Sequence, residues 1–401
     1  MRILLTANAS YAPPRGGATR SNLLWLDYLA SRGHQCRVIC GAPGEGAELR
    51  PHPTIAILPI EEPARRLQAL RAEIRDFQPD WVLVSSEDLS HALLRQSHHS
   101  APGRVVYLAH TPQFFPFGAA SWNPDRHAAG LVAQSAGVVT IGQHMAAYVE
   151  RALQRPAAVI HPPIYGSGPF PDCANFAQGL VTMLNPCAVK GISIFLEVAQ
   201  RLPNESFAVL PGWGTTAEDL RALERLPNVR FLPHARDIDD VLAETRVLLM
   251  PSLWYEGFGL IVMENMLRGI PVVASDSGGL KEAKSGTGYV IPVRTVERYQ
   301  PVFDEHGMPK PVVHESDPAP WLAAIRELTG DRAAYEREST ASREAALRFL
   351  AGLDAGEMEQ YLEALKPRAP GSVASHSTVE SLSPERRALL RDLLRKRKVG
   401  G

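Results

Sequence analysis

Apolar positions along the chain alternate between two patterns. Short unbroken runs recur at Ile3-Leu4-Leu5, Trp81-Val82-Leu83-Val84, Val105-Val106-Tyr107-Leu108, Val138-Val139-Thr140-Ile141, Val181-Thr182-Met183-Leu184, Phe207-Ala208-Val209-Leu210 and Val247-Leu248-Leu249-Met250. Runs of this length and continuity predict strands buried on both faces, as parallel sheets require. Between them, apolar residues three or four apart predict amphipathic helices over 21–31, 144–153, 192–201, 260–269 and 321–329, with a helical stretch over 331–365. In the first of these, Leu23, Leu24, Leu26, Tyr28 and Leu29 are available to a sheet. Strand and helix in alternation predict α/β architecture with parallel sheets.

Composition narrows this picture. A chain of 401 residues with 45% hydrophobic content suits two domains of ordinary size. A formal net charge of −1 offers no basis for nucleic-acid binding. The four cysteines form no C-x-x-C pair, and Cys36 and Cys40 share one face of a strand, so a reduced, cytoplasmic protein is expected. Met1-Arg2-Ile3-Leu4-Leu5 reads as a first strand rather than a signal peptide, and no apolar run reaches membrane-spanning length. Gly and Pro over 165–178 predict a linker. The expected domains are therefore 1–164 and 179–345, then a helix over 346–366 that returns to the first, and 367–401 as linker and tail. Residues 294–320 are polar, proline-rich and longer than a usual connection, and are expected to be a loop.

The chemistry concentrates in 248–282. A strand stops at Pro251-Ser252, Glu256-Gly257-Phe258-Gly259 makes a glycine loop, and a helix opens at Leu260. Such a loop aims backbone N–H groups at an anion. Glu264 follows Glu256 by eight residues, just over two helical turns. Two carboxylates beside an anion site suit a ligand that carries hydroxyls as well as phosphate, which describes a sugar nucleotide. Near the amino terminus, Pro13-Pro14-Arg15-Gly16-Gly17 forms a glycine-rich loop that lacks the G-x-G-x-x-G spacing of nicotinamide sites. His110 ends a strand, where such folds bind ligands, and Phe114, Phe115 and Phe117 follow it, either as the wall of an acceptor pocket or as packing for the loop. Lys190 precedes a helix N-terminus, the arrangement of a diphosphate clamp. Asp237-Ile238-Asp239 spells D-x-D, but at the entry to a helix, where acids favour the dipole; a metal role is not expected.

The stretch Pro251-Ser252-Leu253-Trp254-Tyr255-Glu256-Gly257-Phe258-Gly259-Leu260, with Glu264 and the run GIPVVASDSGG from Gly269 to Gly279, resembles the signature of retaining glycosyltransferases of family four on the GT-B fold. The resemblance implies two Rossmann-like domains facing across a cleft, the donor on the second and the acceptor on the first. It implies that Glu256 and the Gly257-Phe258-Gly259-Leu260 loop hold the donor sugar and diphosphate, and that Glu264 holds the ribose. The loop of Gly16 and Gly17 would face the donor phosphates or the acceptor, Gly212 would belong to the donor site in the region where relatives hold the base, and His110 would contact the donor sugar. Lys190 would neutralise the leaving diphosphate, with no cofactor or metal required beyond a UDP- or GDP-linked donor. Relatives usually carry an Arg five residues before this Lys; here Asn185 stands in its place, which removes one cation.

The expected function is transfer of a sugar from a nucleotide diphosphate donor to a hydroxyl or amine acceptor, small or carrier-bound. A sugar-nucleotide epimerase or hydrolase on the same fold, and a non-catalytic nucleotide-sugar-binding module, are the alternatives. Beyond the 367–378 linker, Ser383 and Pro384 open a helix with a stripe of Leu389, Leu390, Leu393 and Leu394. It resembles the short helical lead-in before condensation domains of nonribosomal peptide synthetases, which implies specialised metabolism and docking to a carrier or synthetase. Its basic face also suits a membrane surface.

Overall fold

The computed structural model describes residues 1–14, 16–43, 52–233 and 238–368. The tail helix, Arg15 and Asp237 lie outside the described residues. Seven strands form the first sheet: β1 (Arg2–Thr6), β2 (Gln35–Cys40), β3 (Ala56–Pro59), β4 (Trp81–Ser85), β5 (Val105–Ala109), β6 (Gly137–Thr140) and β7 (Ala158–Val159). Their spatial order is β3-β2-β1-β4-β5-β6-β7, and every pairing is parallel. Six more form the second: β8 (Leu180–Leu184), β9 (Phe207–Leu210), β10 (Val229–Phe231), β11 (Thr245–Met250), β12 (Val272–Ser275) and β13 (Val290–Ile291). Their order is β10-β9-β8-β11-β12-β13, again all parallel. Every residue of β4, β5 and β12 is buried, because helices cover both faces. This is the α/β, doubly wound GT-B architecture expected from the alternating pattern.

In each sheet the chain reverses its direction of growth once, between β1 and β4 and between β8 and β11. Adjacent loops leave in opposite directions at such a switch point and open a crevice at the carboxyl ends of the strands. The two sheets bring these ends together. Glu282 accepts from the backbone N of Gln143 (2.8 Å) and His144 (3.1 Å), so a carboxylate from beyond β12 caps the helix Gln143–Leu153 beyond β6. Phe258 packs edge-on to His161, with ring centroids 5.0 Å apart, and stacks on Phe349 at 5.4 Å.

Three expectations are corrected. The first helix spans Gly16–Ser31 and so begins on the glycine pair rather than at residue 21. Gly16 takes φ +84°, which lets the chain turn directly into the helix, and Gly17 lies against Leu260 of the second sheet's side. Residues 294–320 hold a hairpin, β14 (Tyr299–Phe303) against β15 (Pro309–Pro311). Its tip docks through Glu305 onto the N of Ala217 at 2.8 Å and through His306 Nε2 onto Thr215 O at 2.9 Å. The helical stretch 331–365 is broken into Arg332–Ala351 and Glu357–Ala364, with Gly352 and Gly356 at the break. The boundary expected at 345/346 falls inside the first of these helices.

Lys284, fully buried, fastens that long helix to β12. Its Nζ donates to Val272 O (2.7 Å) and Glu338 Oε1 (3.1 Å), while burial holds the ammonium below its ordinary range. The shorter helix returns to the first sheet, where Glu359 meets His34 Nε2 at 2.8 Å and Met358 and Leu362 join the core of Ile3 and Trp25. β3 and the helices Pro63–Phe77 and Ala92–Ser100 were not anticipated. β3 carries most of a short apolar run, Ile55-Ala56-Ile57-Leu58, which is not among the strands expected from sequence; it lies at the edge of the sheet with none of its own residues fully buried.

Candidate active site

The site grows from the loops at the two switch points. Beyond β11 the chain passes Pro251 and Ser252 and brings the Glu256 carboxylate back under the loop. Glu256 Oε1 accepts from Lys190 Nζ at 2.5 Å and from Ser252 Oγ at 2.5 Å. Lys190 comes from the turn Ala188–Lys190 after β8, the neighbouring strand. Gly191, at φ +83°, makes that meeting possible, because a Cβ there would lie 2.0 Å from Pro251 O. The helix Leu260–Leu267 then starts at Gly259, where no side chain caps it, three residues after Glu256. Glu264, 7% exposed, faces Arg20 Nη1 at 3.6 Å across the cleft. Burial raises the Glu264 carboxyl above its ordinary range, and Arg20 and Arg268 work against that.

The remaining expected donor residues fall into different roles. The Phe258 ring is consumed by packing on Phe349 and His161, which leaves its backbone for a ligand. Gly257 lies against His110 of the first sheet, where a Cβ would come 2.6 Å from the His110 carbonyl oxygen. Asn185 takes φ 53°, and its Oδ1 accepts from Gly214 N at 3.0 Å. Gly212 packs on that side chain, and its own N donates to Thr215 Oγ1 at 3.0 Å. Asn185 therefore shapes the Gly212 loop rather than supplying charge. Its Nδ2 is buried and has no partner among the described residues, so one donor remains free.

On the first sheet His110 is 4% exposed, at the carboxyl end of β5. Its Nε2 meets Asn22 Oδ1 at 2.7 Å, and the Asn22 amide nitrogen turns to Tyr11 Oη (2.7 Å) and Ser85 Oγ (3.2 Å). That network assigns the proton to Nε2 and leaves Nδ1 as an acceptor without a partner among the described residues. Burial lowers the His110 imidazole to about 4, so it is neutral at pH 7. Of the three phenylalanines, Phe115 is fully buried against Tyr107, Phe117 and Tyr148, and Phe117 is 7% exposed. Only Phe114 keeps an open face, and it leans on Trp122 at 5.4 Å.

Trp122 is the centre of a group that sequence reasoning missed. It meets Trp254 at 5.5 Å and Tyr299 at 5.3 Å, both edge-on. One loop of the first sheet, the Glu256 loop and the hairpin β14–β15 thus share an aromatic wall beside Lys190, whose Nζ lies 6.0 Å from the Trp254 ring. Trp254 was readable from its place in the Glu256 loop; nothing in sequence joins residue 122 to 299. Asp239 pairs with Arg268, which gives it the role of a structural anion.

Buried imidazoles predict acid sensitivity. His98, which meets Ser135 Oγ at 3.1 Å, is lowered to about 4 by burial and then by the charge of His127, as His110 is by burial alone. Unfolded imidazoles take protons from about pH 6.5, whereas the folded ones wait until about 4. Stability is therefore present above about 6.5 and is lost as pH falls towards 4. Glu87, raised to about 7, runs the other way, but two imidazoles outweigh one carboxyl. Melting temperatures at pH 7 and pH 4.5 are expected to show this loss, with a shallower one in His98→Gln. Equal slopes in the two proteins would contradict it.

Comparison with known proteins follows the same geometry. A family model described as Glycosyltransferase Family 4 matches residues 15–165, and one described as Glycosyl transferases group 1 matches 178–300. A structure of Anabaena Alr3699/HepE in complex with UDP and glucose superposes with a TM-score of 0.65 at 18% identity, covering 91% of this chain and 100% of the other. A glycosyltransferase from Rickettsia africae gives 0.61 at 12%, covering 90% and 97%. An E. coli structure titled trehalose-6-phosphate, bound with UDP-2-fluoro glucose, gives 0.59 at 12%, covering 92% and 100%. An uncharacterized 41.2 kDa protein in the cps region of Klebsiella pneumoniae is 34% identical over 73 residues, 18% of this chain. That match spans about a fifth of the relative's length, 20%.

The fold and the two matched halves define a GT-B glycosyltransferase. The chain belongs to the family 4, group 1 glycosyltransferases. No described helix is long and apolar enough to cross a membrane.

Proposed function

We propose that this glycosyltransferase retains anomeric configuration and moves a hexosyl group from a UDP-linked donor to an acceptor hydroxyl or amine, without a metal. The observation that carries this reading is the meeting of Lys190, Ser252 and Glu256 in the loop that leads into the helix bearing Glu264, whose N-terminus no side chain caps. The C1–O bond to the β-phosphate breaks, the acceptor oxygen or nitrogen bonds to C1 on the same face, and its proton passes to the departing diphosphate. Charge that develops on the diphosphate meets the Lys190 ammonium and the Gly259–Leu260 amides, which supply the stabilisation a metal would otherwise give. Glu256 and Glu264 accept from donor hydroxyls, and the neutral His110 Nδ1 accepts from the donor sugar. The UDP choice follows from UDP in the structural relatives of similar fold.

Release of nucleoside diphosphate from a panel of UDP- and GDP-sugars, with and without acceptors, tests the reading. Acceptor-dependent release of UDP with an axial-to-axial or equatorial-to-equatorial product supports it. Release to water alone would favour a hydrolase, and binding without turnover a non-catalytic module. Lys190→Ala is expected to weaken UDP binding by about 1.5–3 kcal/mol, the range of a hydrogen bond to a charged group. Titration calorimetry measures it, and an unchanged dissociation constant would remove Lys190 from the diphosphate.

A further inference from the structure

Ser86, Glu87 and Asp88 leave the carboxyl end of β4, at the switch point of the first sheet. Asp88 is fully engaged: its carboxylate accepts from Asn8 Nδ2 (2.9 Å), Ser90 N (3.0 Å) and Leu93 N (2.9 Å). Glu87 is not. Its Oε2 has neither solvent contact nor a partner among the described residues, although the residue as a whole is only half-buried and so remains reachable. Burial without a compensating cation pushes the carboxyl up to about 7. A buried carboxyl oxygen without a partner costs stability, so structure gives no reason to keep one.

Its surroundings indicate what would complete it. The Tyr11 hydroxyl is close enough for the Glu87 charge to hold its proton more firmly. Asn22 links Tyr11 to His110, and the His110 backbone N donates to Ser86 Oγ at 3.1 Å. His110 Nδ1 is a second buried acceptor without a partner among the described residues. Two orphaned acceptors thus come from the ends of the adjacent strands β4 and β5, and no described cation hydrogen-bonds either. Their complement is a ligand rich in O–H or N–H donors; a phosphate would meet like charge.

Resting on the transferase reading above, we propose that Glu87 is the residue that recognises the acceptor, and that it receives a neutral or aminated sugar rather than a phosphorylated one. His110 Nδ1 then marks the border with the donor sugar.

The test has two arms. With UDP-glucose as donor, methyl glucoside and glucosamine are expected as acceptors, with glucose 6-phosphate at least tenfold poorer in kcat/KM. Glu87→Gln is expected to raise KM for the first two at least tenfold while the UDP dissociation constant stays within twofold. Equal or better use of the phosphorylated sugar, an unchanged KM, or hydrolysis of UDP-glucose with none of the three sugars used would overturn the proposal. In the second arm, Glu87→Gln is expected to melt above wild type at pH 8, where the orphaned carboxyl is ionised, and level with it at pH 5, where it is protonated. Tyr11, which burial raises, and His110, which burial lowers to about 4, keep their protonation between those values. A lower melting temperature at both pH values would show a structural role and overturn the proposal. Wild type that neither binds UDP nor turns over any nucleotide sugar would instead overturn the transferase reading, and the melting comparison would still judge Glu87.

Discussion

Glu256→Gln is expected to lower kcat/KM for sugar transfer by about 100-fold with the fold retained. One oxygen of this carboxylate accepts from both Lys190 and Ser252 at 2.5 Å. Hydrogen bonds to a charged group are worth about 1.5–3 kcal/mol each, and about 1.4 kcal/mol is tenfold in rate. Gln preserves the shape and removes the charge, so Lys190 loses its counter-ion and its aim. The donor sugar loses an acceptor for its hydroxyls at the same time. Circular dichroism checks the fold, and steady-state kinetics with the donor found in the panel reads the effect. A loss of less than threefold would exclude Glu256 from the chemistry.

Gly278→Ala is expected to cost at least tenfold in kcat/KM without removing any reacting group. A Cβ at this position would lie 2.3 Å from Glu256 O and 2.5 Å from Glu256 N, both backbone atoms that cannot rotate away. The adjacent Gly279 N donates to the same Glu256 oxygen at 2.9 Å, so the turn after β12 holds the Glu256 loop in place. The backbone of Gly278 also sits at φ +59°, a conformation that itself costs an L-residue about 1 kcal/mol. Gly286→Ala separates the two effects, because Gly286 takes φ +84° with nothing within 4 Å of the added carbon. Both variants should lose melting temperature, and only Gly278→Ala should lose activity. Equal activity in the two would mean that the Glu256 loop is not held from β12.

Glu256, Glu264 and the glycine loop were legible because they are neighbours in sequence, carried by one strand, one turn and one helix. Lys190 was legible as a cation before a helix, but not as the partner of Glu256, since 66 residues separate them. The glycine pair 16–17 was read as loop because a helix that begins on glycine has no local signal: Gly has poor helical propensity, and here the contact with Leu260 supplies the reason for it. Phe115 and Phe117 followed His110 as plausibly as Phe114 did, yet Phe115 is packed against Tyr107 and Tyr148 and Phe117 against Phe115.

The α/β alternation with parallel sheets and the strand–loop–helix unit that carries Glu256 were legible in the sequence alone. Those depend on apolar periodicity and on turn chemistry within a few residues. Which loops face one another was decided only by the tertiary structure. Strand order placed β1 beside β4 and β8 beside β11, and so opened the two crevices. The capping of the helix Gln143–Leu153 by Glu282, the aromatic wall of Trp122, Trp254 and Tyr299, and the orphaned Glu87 carboxyl all follow from that meeting. The physical reason is that hydrogen bonding and burial act over a few ångströms of space, whatever the number of residues between the groups, so no local pattern along the chain records them.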